Sequence, residues 1–321
     1  MEDYSTATVQ GIVQAEKINS GKVIYRKVNA PFGYFGSKSK IALELCRTLP
    51  PHYCWVEAFC GSAALTLSKA PAAIEVINDI NGEIINVFKQ LRDNHQQLCR
   101  LVCHTPYARQ ELERARTVTK KDNEVERARK FLVQSMMAIN GVFGQDRGGF
   151  SYSQSYSRNG RDARVNRWYN LPERLTQVVE RLRGIRIENK EAIELLEMFL
   201  RRPATLVYLD PPYLGKRTLG YTYDANEEAY HIDLLKIANK AKCMIFISGY
   251  ENELYGKLLT EQNGWTRKTI DTITKDNNGK SYNRKEVVWV NKHFQKAVTS
   301  GKVRIRLTPE ERRQNKVNAE R

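Results

Sequence analysis

The chain has 321 residues, 27% of them charged and 41% hydrophobic, which is enough for one large globular domain or two. Its formal net charge of +16 favours a polyanionic partner, because each Lys or Arg near a phosphate releases counterions. No apolar run can span a bilayer, the N-terminus lacks the apolar core of a signal peptide, and no basic helix carries a large apolar face, so a cytoplasmic protein without a membrane partner is expected.

Residues 1–28 are polar and weakly periodic and read as an extension. Residues 38–49 read as a helix closed by Pro50 and Pro51. A strand begins at 55–57, a Gly-containing turn follows, and residues 63–69 open a helix. Residues 73–78 form a second strand and 83–92 another helix, which completes a βαβ unit. Cys46, Cys54, Cys60, Cys99, Cys103 and Cys243 form no CxxC pair and read as reduced thiols. His95, Cys99 and Cys103 recur every four residues of a helix. The third lies about 12 Å along the axis from the first, so one ion cannot take all three, and no metal is expected.

The alternation breaks at 105–182, a segment rich in Arg, Gly, Ser and Tyr with helices at 124–139 and 171–182. It resumes with a strand at 185–187, a helix from 190, a strand at 205–209 and a helix at 227–240. A strand at 244–247, a helix at 251–259 and late strands at 265–270 and 286–290 follow. The pattern predicts an α/β, doubly wound, Rossmann-like fold. Its seven-stranded sheet is mostly parallel, with an antiparallel edge hairpin and a helical, loop-rich insert. The core is then 29–104 and 183–296, the insert 105–182, and 297–321 a basic, solvated tail.

Three stretches carry chemistry. Asp210-Pro211-Pro212-Tyr213 follows the apolar run 205–209, at the carboxyl end of a buried strand, where open α/β sheets bind ligands. An acidic acceptor, a carbonyl freed by stiff prolines and an aromatic face make a receptor for a planar amino group. The turn Glu57-Ala58-Phe59-Cys60-Gly61-Ser62-Ala63 has a glycine that permits close approach to a ligand. Asp79, ending the next strand, is placed to bond a ribose diol. The turn lacks the glycines that cradle a pyrophosphate, so a nucleoside fits better than a dinucleotide. Upstream, Pro31-Phe32-Gly33-Tyr34-Phe35-Gly36-Ser37-Lys38 sets two aromatics and a lysine before a helix, suited to a planar ring and a carboxylate. Taken singly, each stretch also reads as an ordinary tight turn.

In this order the three stretches resemble the DNA adenine methylase family, in the branch of phages and restriction-modification systems. Residues 168–175, 187–190, 247–250 and 284–289 resemble it too, so the likeness covers about residues 29–292. Ala63 departs from it, standing where many relatives carry a second glycine. The resemblance implies S-adenosylmethionine as cofactor, held by Tyr34, Phe35, Lys38, Glu57, Phe59, Gly61, Asp79, Asn189 and Asp210. It implies Asp210, Pro211, Pro212 and Tyr213 as the catalytic tetrapeptide, acting on adenine N6 in double-stranded DNA after base flipping. Arg147, Arg158, Arg161, Arg164 and Arg167 become candidates for phosphate or guanine contacts, each equally readable as a solvated arginine. A cognate restriction endonuclease and a monomeric state are further expectations. An RNA adenine methyltransferase would share the pocket chemistry. A non-catalytic DNA-binding module would explain the charge but not Lys38, Asp79 and Asp210.

Overall fold

A computed structural model describes residues 27–34, 36–139, 141, 148–152, 157–158, 160–214, 227–275 and 281–303. Phe35 and Arg147 lie outside these residues, Arg158 is described by its backbone alone, and most of the two terminal stretches lie outside as well. The strands are β1 (Cys54–Glu57), β2 (Ile74–Asn78), β3 (Ser157–Arg158), β4 (Arg161–Asp162), β5 (Ile185–Glu188), β6 (Thr205–Leu209), β7 (Met244–Gly249), β8 (Trp265–Lys275) and β9 (Ser281–Asn291). In the first half of the chain the helices are α1 (Ala42–Arg47), α2 (Ala64–Ser68), α3 (Gly82–Asp93), α4 (His95–Cys103), α5 (Arg109–Ala115) and α6 (Glu124–Met137). Those that follow are α7 (Ala163–Tyr169), α8 (Leu171–Leu182), α9 (Ala192–Phe199), α10 (Glu228–Asn239), α11 (Glu253–Leu258) and α12 (Lys292–Ser300).

Seven strands form one sheet in the order β5-β2-β1-β6-β7-β9-β8, while β3 and β4 make a separate two-stranded ribbon. Pairing is parallel from β5 to β7 and antiparallel at β7–β9 and β9–β8. β1, β6 and β7 are buried along their whole length, which is why they read as continuous apolar runs. Side chains alternate across the sheet. Val56, Val207, Ile245 and Ile247 pack with residues of α9, α10 and α11. Trp55, Leu206, Tyr208 and Phe246 pack with residues of α1, α2 and α12. On that second side, beyond β1, a third cluster joins Ile77 of β2 to α3, α4, α6 and α8.

Several elements depart from expectation. The helix expected at 38–49 is a 3-10 turn at Lys38–Lys40 followed by the shorter α1. The final hairpin is longer than expected, each strand having 11 residues, with Lys275 opposite Ser281. Its outer part is built from Thr and charged residues, so it shows no apolar run, yet backbone pairing still forms it. Within 105–182, α5 and α7 were not expected. Each is short and buries few side chains, Leu112 and Ala115 on the first and Trp168 on the second. Residues 297–303 are not wholly solvated, although 298–302 are exposed. α12 buries Ala297, and Val303 packs in the same cluster.

The middle segment is tied to the sheet by ions as well as by its apolar helices. Glu75 of β2, 1% exposed, meets Lys69 Nζ at 2.6 Å and Arg181 Nη1 of α8 at 2.5 Å. Arg181 also donates to the Thr66 carbonyl at 3.1 Å. Glu75 is held below the usual carboxylate range: burial works against this, but Arg181 and Lys69 prevail. Its contribution to stability is therefore present above the ordinary glutamate pKa and is lost as pH falls through the depressed value. Glu75→Ala, which strands two buried cations, should cost about 3–5 kcal/mol. A chemical denaturation midpoint unchanged from wild type would show that the cluster holds nothing together.

Candidate active site

The strand order reverses between β1 and β6, and the clefts open at the carboxyl ends there. One cleft is lined by Tyr34, Phe59, Asp79, Asn81, Glu191, Asp210, Pro212 and Tyr230. Its neighbour shares Tyr34, Phe59 and Asp210 and adds Ser37, Lys38, Glu57, Gly61 and Ser62.

After β1 the chain turns sharply. Gly61 has φ +48°, and a Cβ placed on it would lie 2.7 Å from Tyr34 Cδ1. Both the backbone and the Tyr34 ring therefore require glycine there. Ala63 also turns left-handed, at φ 54°, the one non-glycine residue to do so among those described. That conformation costs a residue with a Cβ about 1–2 kcal/mol, a strain a second glycine would not carry. The turn is braced by Asp79, whose Oδ2 accepts the Gly61 N–H at 2.9 Å and whose Oδ1 accepts that of Asn81 at 2.9 Å. Burial pushes the Asp79 carboxyl up to about 6, against the pull of those two bonds. Glu57, ending β1, accepts the Thr66 N–H at 3.0 Å and the Thr66 hydroxyl. Burial pushes it up to about 7, with the Thr66 bonds opposing. Asp79 thus lines the first cleft and Glu57 the second.

At the end of β6 the tetrapeptide is caged. Asp210 Oδ1 accepts from Lys38 Nζ at 2.9 Å, Tyr213 OH at 3.1 Å and Ser248 Oγ at 3.1 Å. The Ser248 and Tyr208 hydroxyls are 2.6 Å apart. Tyr213 OH also reaches Glu286 Oε1 at 2.9 Å, and Lys38 Nζ lies 3.2 Å from the same oxygen. Lys38 donates to the Tyr213 hydroxyl and sits 4.8 Å from the centre of its ring. Tyr250 packs on Tyr213 with centroids 4.5 Å apart. Burial alone would depress the Lys38 pKa, but Asp210 and Glu286 outweigh it and hold the pKa above the usual lysine value. Burial raises Glu286, and Asp210 adds to the rise, while Lys38 opposes it.

Lys38, Asp210 and Tyr213 are thus in mutual contact, and Tyr34, Glu57, Phe59, Gly61 and Asp79 line the adjoining clefts. Asn189 lines neither cleft. It donates to the carbonyls of Asp79 at 2.7 Å and Ile80 at 3.1 Å, and so fixes the loop that carries Asp79. Arg161 stacks on Tyr169, 4.1 Å from the ring centre, and Arg164 is exposed in the first turn of α7. Neither lines these clefts. Sequence reading missed the role of Glu286 and Ser248. Both lie in stretches that resemble the family, but no spacing from Asp210 announces that β9 and β7 deliver them to the same carboxylate.

Among the described residues no three His, Cys, Asp or Glu side chains are grouped to hold a metal ion, and no helix is long and apolar enough to cross a membrane. S-adenosylmethionine fits the residues present in kind, since Tyr34 and Phe59 offer aromatic faces, Lys38 a cation and Glu57 and Asp79 carboxyls along the two clefts.

A model of the D12 class N6 adenine-specific DNA methyltransferase matches residues 34–275. The type II methyltransferase M1.LlaDCHI of Lactococcus lactis subsp. cremoris is 26% identical over 231 residues, covering 63% of this chain and 72% of its own. A solved SAM-dependent methyltransferase from Agrobacterium tumefaciens aligns at 13% identity and a TM-score of 0.24, over 40% of this chain and 46% of that one. The family match extends from the Tyr34 turn across the tetrapeptide into β8, and the chain belongs to the D12 class of N6 adenine-specific DNA methyltransferases, which take their methyl group from S-adenosylmethionine.

Proposed function

We propose that the chain methylates adenine N6 at a specific site in duplex DNA, with the base flipped into the cleft beside Asp210. The observation that carries this is the cage around Asp210, which lines both clefts and has Lys38, Tyr213 and Ser248 within hydrogen-bond distance of one carboxylate oxygen. The adenine amine is a poor nucleophile because its lone pair is delocalised into the ring. Asp210 and the Pro211 carbonyl accept its two hydrogens, draw the nitrogen towards tetrahedral geometry and free the lone pair. Aimed at developing positive charge, these acceptors invert the logic of an oxyanion hole. S-adenosylmethionine supplies the activated methyl. Tyr213, fixed at its hydroxyl by Lys38 and Glu286, offers its ring to the flipped base, and such stacking is worth about 1–3 kcal/mol.

Lys38 serves as the partner of the cofactor carboxylate. In taking it up, Lys38 loosens its hold on Asp210 and leaves Glu286 as its remaining counter-ion. The adenine amine then replaces a donor that has left. Glu57 meets the cofactor ammonium and Asp79 its ribose diol. Base readout falls to the insert 105–182, with Arg147, Arg158, Arg161 and Arg164. A cytoplasmic setting, a monomeric enzyme and a cognate endonuclease complete the reading.

Expression in a methylation-free bacterial host, followed by single-molecule sequencing, tests it. Methylated adenine in one sequence context is expected, and unmodified DNA would overturn it. Cofactor binding supplies a second check. Near pH 6.5 the Glu57 and Asp79 carboxyls are partly protonated, and their new partners favour the ionised forms. Binding should therefore release protons at that pH. Calorimetry in two buffers of different ionisation heat measures this, and equal heats at that pH would refute the assignment of these two carboxyls.

A further inference from the structure

Beside the site, on the side of α7 and α8, lies a polar groove of 620 Å³ lined by Asn29, Asn166, Arg167, Asn170, Glu173 and Arg174, among others. Its charges are unbalanced. Arg174 and Arg167 are both only partly exposed, and Arg174 Nη2 donates to the Arg167 backbone carbonyl at 3.3 Å. Among the described residues neither guanidinium has a carboxylate within ion-pair distance, although Glu173 lines the same groove. Burial, and then the neighbouring Arg167, push Arg174 down to about 10, and burial with Arg164 lowers Arg167 as well. Half-buried charges of one sign without a counter-ion are costly, and folded proteins keep them where a ligand of opposite charge completes the set.

Arg167 also touches the segment that leads into the active site. A Cβ on Gly33 would lie 3.1 Å from Arg167 Nη2, so this guanidinium rests against the chain one residue before Tyr34, which roofs Gly61. Ser135 of α6 holds the Gly33 carbonyl at 3.0 Å. Asn166 adds a polar group whose Oδ1 is buried without a hydrogen-bond partner. Reversing that amide would offer a donor in its place.

We propose that Arg167 and Arg174 form a phosphate clamp for the DNA backbone next to the flipped adenine. This rests on the reading of the chain as a DNA methyltransferase. Fork-shaped guanidiniums match a phosphate diester, whose charge replaces the missing carboxylates. The clamp reads no sequence. It holds the strand while loop arginines contact the bases, and its position against Gly33 fixes the strand relative to the cofactor turn.

The test is the salt dependence of binding by the full chain to a random-sequence duplex. Arg167→Ala and Arg174→Ala should each weaken binding to all sequences and lower the slope of log affinity against log salt by about one unit. Arg174→Lys, which keeps the charge, should restore most of the slope. Arg201→Ala, an exposed arginine just beyond α9, should change it far less. Unchanged slopes in both groove variants, with S-adenosylmethionine affinity intact, would overturn the clamp and leave the enzyme reading standing. Equal losses at Arg201 would overturn it too, since diffuse charge would then explain the effect. Displacement of DNA from the wild type by dilute inorganic phosphate at matched ionic strength would make the groove a free-anion site. If the wild type itself fails to bind DNA, the enzyme reading falls with it.

Discussion

Asp210→Ala should abolish measurable methyl transfer while the fold and the cofactor site persist. The carboxylate is one of two acceptors for the amine, and removing one preorganised partner of a developing charge costs about 10²–10³ in rate. The loss should exceed that figure, because the Ser248 hydroxyl would then face the amine as a donor without its acceptor. The fold should survive, because Lys38 keeps a counter-ion in Glu286 at 3.2 Å. Single-turnover methylation of a substrate duplex, alongside thermal unfolding, measures both. Turnover within tenfold of wild type by a folded variant would sink the mechanism.

Lys38→Met should be the most damaging single change to stability at the site. It leaves the carboxylates of Asp210 and Glu286, 15% and 6% exposed, sharing the Tyr213 hydroxyl without a cation. Breaking a buried pair in this way costs about 3–5 kcal/mol. In the wild type the Lys38 pKa is raised, so its contribution is complete below the ordinary value of 10.5 and is lost only as pH rises through the folded value. In the variant the controlling group is Glu286, whose folded pKa burial and the neighbouring Asp210 charge raise and Lys38 no longer lowers. The variant should therefore grow more stable as pH falls through the raised Glu286 pKa towards the ordinary carboxylate range, and the gap to wild type should narrow as it does. Adding Glu286→Gln to Lys38→Met should recover part of the loss at neutral pH. A gap that stays constant with pH, or no recovery in the double variant, would show that Lys38 does not neutralise this pair.

The α/β alternation was legible in the sequence because central parallel strands are buried on both faces and must be apolar throughout, as in the runs at 205–209 and 244–247. The chemical stretches around Lys38, Gly61, Asp79 and Asp210 were legible because tight turns at strand ends demand particular residue types. Gly61 shows this most directly, since its left-handed backbone and the Tyr34 ring above it both exclude a side chain. What remained hidden depends on distances across the chain. Glu286 reaches Tyr213 only because β9 pairs antiparallel with β7, and Ser248 reaches Asp210 only because β7 lies beside β6. Arg167 was a candidate for a phosphate contact and Arg174 was not singled out, and only the tertiary structure brings the two to one groove beside residues 29–33. Asn189 was read with the cofactor because it lies in a motif, yet the fold uses it to hold the Asp79 backbone. Backbone demands are local, so composition and spacing record them. Charge balance and hydrogen-bond partners are pairwise across space, so the tertiary structure alone decides them.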